Sequence, residues 1–258
     1  MCGRYVSPGE AALNREYLID RTNSHLRAVD ELASAYLGSF NVAPSQQVPI
    51  LRVIRDSDAQ REAVRMRWGL IPWWSNGQPT KYSTINCRIE SMQTNASYRD
   101  AWQRGQRCVF PASGFYEWHL NPDGTKQPYY IRPIEEDTTF PLAGLWDRSI
   151  TPTGEVILSC TIITMDANEL MAEIHNDKKR MPAILHKEDV QAWLTGTPEQ
   201  AHAVLRQYPS DQMLAFPVSR QVNAPQNDGP ELIQAVDSRE VAAAKRPEPR
   251  QAQLFKKS

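Results

Sequence analysis

Cys108-Val109-Phe110-Pro111-Ala112-Ser113-Gly114-Phe115-Tyr116-Glu117-Trp118 reads as one extended, aromatic-rich strand. Strands of the same kind lie on both sides of it. Gln47–Arg55 and Glu62–Ile71 alternate in part and are joined by a polar turn at Asp56–Gln60. Pro128–Pro133, Phe140–Arg148 and Val156–Met165 also read as strands. Ser7-Pro8-Gly9-Glu10 matches a capping box with Pro8 at the first helical position, which predicts a helix over Pro8–Ile19. Further helices are predicted near Leu26–Tyr36, from a cap at Asp166 through Glu173, and over Lys187–Leu194 and Pro198–Arg206. Runs of strands with helices at either end make the fold class α+β with a mainly antiparallel sheet.

At 258 residues, 41% hydrophobic and 23% charged, the chain can bury a sizeable core in one large domain or two small ones. A net charge of −1 confines any nucleic-acid binding to a local basic patch. No apolar run approaches the roughly 18 residues of a membrane span, and no secretory signal opens the chain. Cys2, Cys87, Cys108 and Cys160 are widely spread with no Cys-x-x-Cys pair, so neither a metal site nor a disulfide framework is expected. A reduced, cytoplasmic setting follows, with no cofactor and no membrane partner. Composition shifts at Asp237, dividing a domain over 1–236 from a basic, disordered tail over 237–258.

Cys2 carries the sharpest chemistry. Removal of Met1 would leave a free α-amine and a thiol on neighbouring carbons, with unperturbed pKa values near about 8 and 8.5. Such an aminothiol traps an aldehyde: the amine condenses to a Schiff base and the thiol closes a five-membered thiazolidine. Three internal clusters could serve it. In Trp68-Gly69-Leu70-Ile71-Pro72-Trp73-Trp74, Trp68 divides evenly between core and site, whereas Trp73 and Trp74 read as a stacking surface for unpaired bases. In Asn86-Cys87-Arg88-Ile89-Glu90, alternation puts Asn86, Arg88 and Glu90 on one face, either a solvated edge or a polar wall that meets a phosphate. Glu117, between Tyr116 and Trp118, is a partly desolvated carboxylate suited to acid–base work, or a surface residue of a half-exposed strand. His175 precedes a polar and basic run, unlike His25, His119, His186 and His202, which read as structural or exposed.

In order along the chain, Met-Cys-Gly-Arg at 1–4, Phe-Asn-Val-Ala-Pro at 40–44, Trp-Gly-Leu-Ile-Pro-Trp-Trp at 68–74 and Ile-Asn-Cys-Arg-Ile-Glu at 85–90 form a specific set. Gly-Phe-Tyr-Glu-Trp at 114–118, Ile-His at 174–175, Arg-Met-Pro at 180–182 and Pro-Val-Ser-Arg at 217–220 complete it. The set resembles the SOS-response-associated peptidase (SRAP) family of abasic-site crosslinking proteins and runs to about Val236. The resemblance implies one domain built as a twisted sheet or open barrel with peripheral helices. It implies a monomer that binds single-stranded or junction DNA and crosslinks an abasic site through Cys2. Asn86, Glu117 and His175 would be its catalytic partners. Arg4, Arg88 and Arg180 would meet phosphates, Trp73, Trp74 and Trp118 would stack on bases or wedge the strand, and Asn41 and Pro44 would join the DNA surface. The chain departs from the family pattern after His175, where Asn176-Asp177-Lys178-Lys179 lengthens the loop before Arg180; Lys178 or Lys179 could replace Arg180 at a phosphate.

Gln251-Ala252-Gln253-Leu254-Phe255 resembles a bacterial sliding-clamp-binding peptide, with Gln251, Leu254 and Phe255 as anchors and the replication clamp as partner. Three rival functions remain at this level. One is a cysteine peptidase with Cys2, His175 and Glu117 as nucleophile, base and orienter, acting on its own leader. Another is a non-catalytic single-strand-binding module, and the third is strand cleavage through the Schiff base.

Overall fold

The stretch that read as one strand is two strands of two different sheets. In the computed structural model, residues 2–17, 38–53 and 61–236 are described. Their elements in order are β1 (Arg4–Ser7), α1 (Glu10–Tyr17), β2 (Ser39–Val42), β3 (Gln47–Val53), β4 (Arg61–Trp68) and β5 (Asn86–Arg88). Next come α2 (Arg99–Gln103), β6 (Arg107–Ala112), β7 (Gly114–Leu120), β8 (Lys126–Pro133), β9 (Phe140–Ile150) and β10 (Val156–Asp166). The last are α3 (Glu169–Ile174), β11 (Arg180–Pro182), α4 (Val190–Thr195), α5 (Pro198–Ala203) and β12 (Met213–Pro217).

One sheet has the order β12-β8-β7-β1-β2, and all its pairings are antiparallel. The other runs β11-β10-β4-β3-β6-β9, and β9 pairs back onto β10, closing a barrel-like ring. β4 and β5 both pair parallel with β10, the exceptions to an otherwise antiparallel fold. The chain leaves the ring at Ala112 and enters the other sheet at Gly114, with Ser113 between them donating its N–H to Val6 O at 2.8 Å. Gly114 makes this corner possible: a Cβ there would lie 2.5 Å from both Ile131 O and the Tyr130 ring.

The core lies inside the ring and between it and the open sheet. Trp68 is fully buried, edge-on to Tyr5 at 5.4 Å, and its indole N–H donates to Ile85 O at 2.9 Å. Of the two readings for Trp68, the core one holds. β4 ends there because Gly69 takes φ +120°, a turn only glycine adopts freely. Ser7 is the last residue of β1 rather than a cap, and α1 begins at Glu10. Asn168, not Asp166, caps α3: its side chain accepts from Met171 N, while Asp166 extends β10. Lys187–Asp189 forms a 3₁₀ turn before α4, and α5 opens with a full capping box at Thr197 and Gln200. The predicted helix at Leu26–Tyr36, the turn at Asp56–Gln60 and the tail with its clamp-like peptide lie outside the described residues.

Among the described residues no helix is long and apolar enough to cross a membrane. Gly114→Ala should cost about 1–3 kcal/mol of overpacking, because backbone and ring both block the new methyl. Urea unfolding followed by circular dichroism measures it, and unchanged stability would contradict the corner packing.

Candidate active site and its aromatic rim

The chain start is seated in the middle of a sheet. β1 lies between β7 and β2, in register Arg4↔Tyr116 and Tyr5↔Val42. Cys2, two residues before β1's first paired residue, is fully buried. Asn86 on β5 reaches it from the ring: Nδ2 donates to Cys2 O at 3.0 Å. Asn86 Oδ1 is buried with no donor among the described residues. Burial, and then the charge of Glu117, push the Cys2 thiol up to about 12. It is therefore a protonated thiol at neutral pH, not the partly ionised one the free amino acid suggests.

Glu117 on β7 is 2% exposed. The desolvated reading of this carboxylate is the one its burial supports. His175 caps the C-terminus of α3 and is buried against it, with Nδ1 3.4 Å from Glu117 Oε2 and 2.9 Å from Arg180 O. Its Nε2 lies 3.3 Å from Asp177 Oδ1, a partner the sequence gave no reason to choose. Asn176 fixes the lengthened loop to β7, donating to Leu120 O and accepting from Leu120 N, each at 2.9 Å. These contacts draw Cys2, Asn86, Glu117 and His175 to one place, from β1, β5, β7 and the end of α3.

The expected DNA contacts divide into two groups. Arg4 donates to Asn41 Oδ1, Val222 O and Asn223 O, and Asn41 Nδ2 to Val222 O, Ala224 O and Asn227 O. Trp118 Nε1 donates to Asn223 Oδ1. These three side chains clip the 222–227 turn beside the chain start. Arg180 is placed differently from a surface phosphate ligand: it is buried, bonds Glu90 and Asp166, and donates to Thr164 O. Its hydrogen bond holds the Glu90 carboxyl below its ordinary range, against the opposing effect of burial. Nor do Asn86, Arg88 and Glu90 share one face, because a 3₁₀ turn at Ile89–Ser91 ends the alternation: Asn86 is buried, while Arg88 and Glu90 are exposed. Lys178 and Lys179 are exposed, and Pro44 is half-buried after β2.

The second group forms an aromatic rim. Trp73 and Trp74 lie on a 3₁₀ turn, 48% and 44% exposed, and their indole N–H groups donate to Asp100 and to Ala96 O. Those bonds fix the rings while leaving faces to solvent, and the Arg104 guanidinium lies 5.6 Å from the Trp73 ring centroid. Beside them a groove of about 760 Å³ runs past Trp74, Lys81, Tyr82 and Tyr98. Tyr82 is 84% exposed, and the Tyr98 hydroxyl donates to Asn86 O, so the groove reaches the residue that holds Cys2. Tyr82 and Tyr98 carried no motif that sequence reasoning could use. No group of three or more metal-ligating side chains that could hold an ion occurs among the described residues.

A family profile described as SOS response associated peptidase (SRAP) matches residues 1–225. This chain belongs to the SRAP family. The abasic site processing protein YoqW of Bacillus subtilis is 37% identical over 240 residues, covering 91% of this chain and 100% of YoqW. Abasic site processing protein HMCES of Xenopus tropicalis is 36% identical over 228 residues, covering 78% of this chain and 67% of its own. A solved protein of Bacteroides thetaiotaomicron superposes with a TM-score of 0.77 at 27% identity, covering 91% of this chain and 100% of its own. A solved protein of Bordetella bronchiseptica gives 0.68 at 25% identity, covering 84% and 100%.

The two arginines of the expected phosphate set should separate in stability. Arg180→Met leaves Thr164 O without its charged donor and should cost about 1–3 kcal/mol. Arg88→Ala, at an exposed position, should stay within about 0.5 kcal/mol. Equal urea midpoints for both variants would remove the internal role of Arg180.

Proposed function

We propose that this SRAP protein recognises abasic sites in single-stranded DNA and traps them as a thiazolidine on Cys2 once Met1 is removed. The observation that carries the reading is the convergence of Asn86, Glu117 and His175 on the buried second residue. The relatives named abasic site processing proteins support the substrate class.

The steps balance without an external reagent. In ring opening, the C1′–O4′ bond of the abasic sugar breaks, O4′ takes a proton from His175, and the O1′ proton passes to Glu117. The Cys2 amine adds to the C1′ aldehyde and gives a carbinolamine. Glu117 returns its proton to the leaving hydroxyl, and water departs to leave an iminium. The Cys2 sulfur then attacks C1′, and the thiol proton passes through Glu117 to His175. The products are a thiazolidine and one water, with His175 and Glu117 restored. A thiol raised by burial suits this order, since it gives up its proton only as the carbon–sulfur bond forms. The buried Asn86 Oδ1 is a ready acceptor for the freed amine, while Nδ2 keeps the Cys2 carbonyl in place. Asn86 holds the carbonyl of Cys2 and not that of Met1, so it anchors the chain rather than polarising the Met1–Cys2 bond.

Single-stranded substrate fits the rim. Exposed Trp73, Trp74 and Tyr82 offer π-faces to unpaired bases, and Arg88, Lys178 and Lys179 lie exposed for phosphates. Clamp recruitment by Gln251, Leu254 and Phe255 is a further part of the proposal, carried by the sequence alone.

Intact mass after incubation with abasic single-stranded DNA tests the central claim. The mature protein should gain the DNA mass less one water, and Cys2→Ala should not; an adduct on Cys2→Ala overturns the assignment. Trp73→Ala with Trp74→Ala should weaken binding to undamaged single strands by about 1–3 kcal/mol per stacked base. Fluorescence anisotropy reads this, and unchanged affinity removes the rim from the interface.

A further inference from the structure

The His175 imidazole is held between acceptors. Nδ1 is 2.9 Å from the Arg180 carbonyl, which can only accept, so Nδ1 carries a proton. Glu117 Oε2 lies 3.4 Å from the same nitrogen, on the β7 side. On the far side of the ring, Nε2 faces Asp177 Oδ1 at 3.3 Å. An ionised carboxylate also only accepts, so a hydrogen bond there requires a proton on Nε2 as well.

We infer that Asp177 is a positioning residue that holds His175 as the doubly protonated imidazolium, ready to donate from Nε2. Nδ1 stays on the Arg180 carbonyl and fixes the ring, which leaves Nε2 as the site of exchange. The inference rests on the proposed ring opening, in which His175 supplies the proton to O4′.

The surroundings of Asp177 keep it ionised. Its side chain is 21% exposed, and Lys126 on β8 reaches it at 3.7 Å. Burial works to raise its pKa, but the charges of His175, Lys126 and Lys178 outweigh burial and lower it. The loop is also fixed: Asn176 bonds both backbone groups of Leu120, Lys179 N donates to His175 O, and Lys179 closes the turn at φ +48°. The charged groups around the ring are therefore Glu117 from β7, Asp177 and Lys178 from the loop, and Lys126 behind Asp177. The Arg180 guanidinium turns away to Glu90 and Asp166. The residues that lengthen this loop thus supply both its anchor and a second carboxylate for His175.

The test uses the full chain, Asp177→Asn and Asp177→Glu. Nitrogen NMR of the histidine rings, assigned with His175→Gln, reads the protonation state without DNA. At pH 7 both nitrogens of His175 should carry protons in the wild type and in Asp177→Glu, and only one in Asp177→Asn. Crosslink formation, followed by intact mass across pH, should lose its alkaline limb about one unit earlier in Asp177→Asn. Near pH 7.5 that is roughly a tenfold slower reaction, restored by acidification. Removing an anion destabilises the imidazolium, so the shift must be downward. Identical ring spectra and pH profiles in wild type and Asp177→Asn overturn the inference. A wild-type chain that forms no adduct overturns the functional reading alone, and the ring spectra still decide the pairing.

Discussion

The pairing of β1 with β7 and β2 is the constraint on which the site depends. Chain termini usually fray, because few contacts repay the entropy of ordering them. Here the first strand is internal to a sheet, with neighbours on both sides. Tyr5 packs on Trp68 and Phe110, and Arg4 is tied through Asn41 to the 222–227 turn. The consequence reaches Cys2, whose backbone carbonyl is held from the ring by Asn86. A residue that would otherwise sample many positions is fixed near the Glu117 charge, and a trapping reaction gains from that fixed proximity.

The site spends burial on polar groups and compensates each locally. Glu117 and His175 face one another, and Asp177 and the Arg180 carbonyl take the remaining imidazole positions. Arg180, buried beneath them, is neutralised by Glu90 and Asp166 at the surface. A buried cation without such partners would be strongly destabilising. One short segment thus does two things: the backbone of Arg180 orients the catalytic imidazole, and its side chain ties β11 to β10 and to the turn after β5. The DNA-facing rim stands apart from this network. Its tryptophans use only their indole N–H groups to fix themselves and leave their ring faces to solvent.

Local signals in the chain gave most of the strands between Gln47 and Asp166, because aromatic and branched residues cluster there between turns. They did not give β1, β2, β5, β11 or β12, each three to five residues long. Strands that short carry no usable periodicity and exist only because a neighbour pairs with them. The break at Ser113-Gly114 was also hidden. Glycine in an aromatic run does not announce a corner; the close approach of β8 to Gly114 makes it one.

The sequence by itself determined the chemistry on offer: an aminothiol at the second residue, an ordered family set around it, and two adjacent tryptophans next to a proline. These depend on covalent identity and order, which need no coordinates. Only the tertiary structure decided which residues meet. It turned Arg180 and Asn41 inward, raised the Cys2 thiol by burying it, and brought Asp177 to the free side of His175. Each of these outcomes depends on distance and dielectric between segments far apart in the chain. Spacing along a sequence carries no record of either.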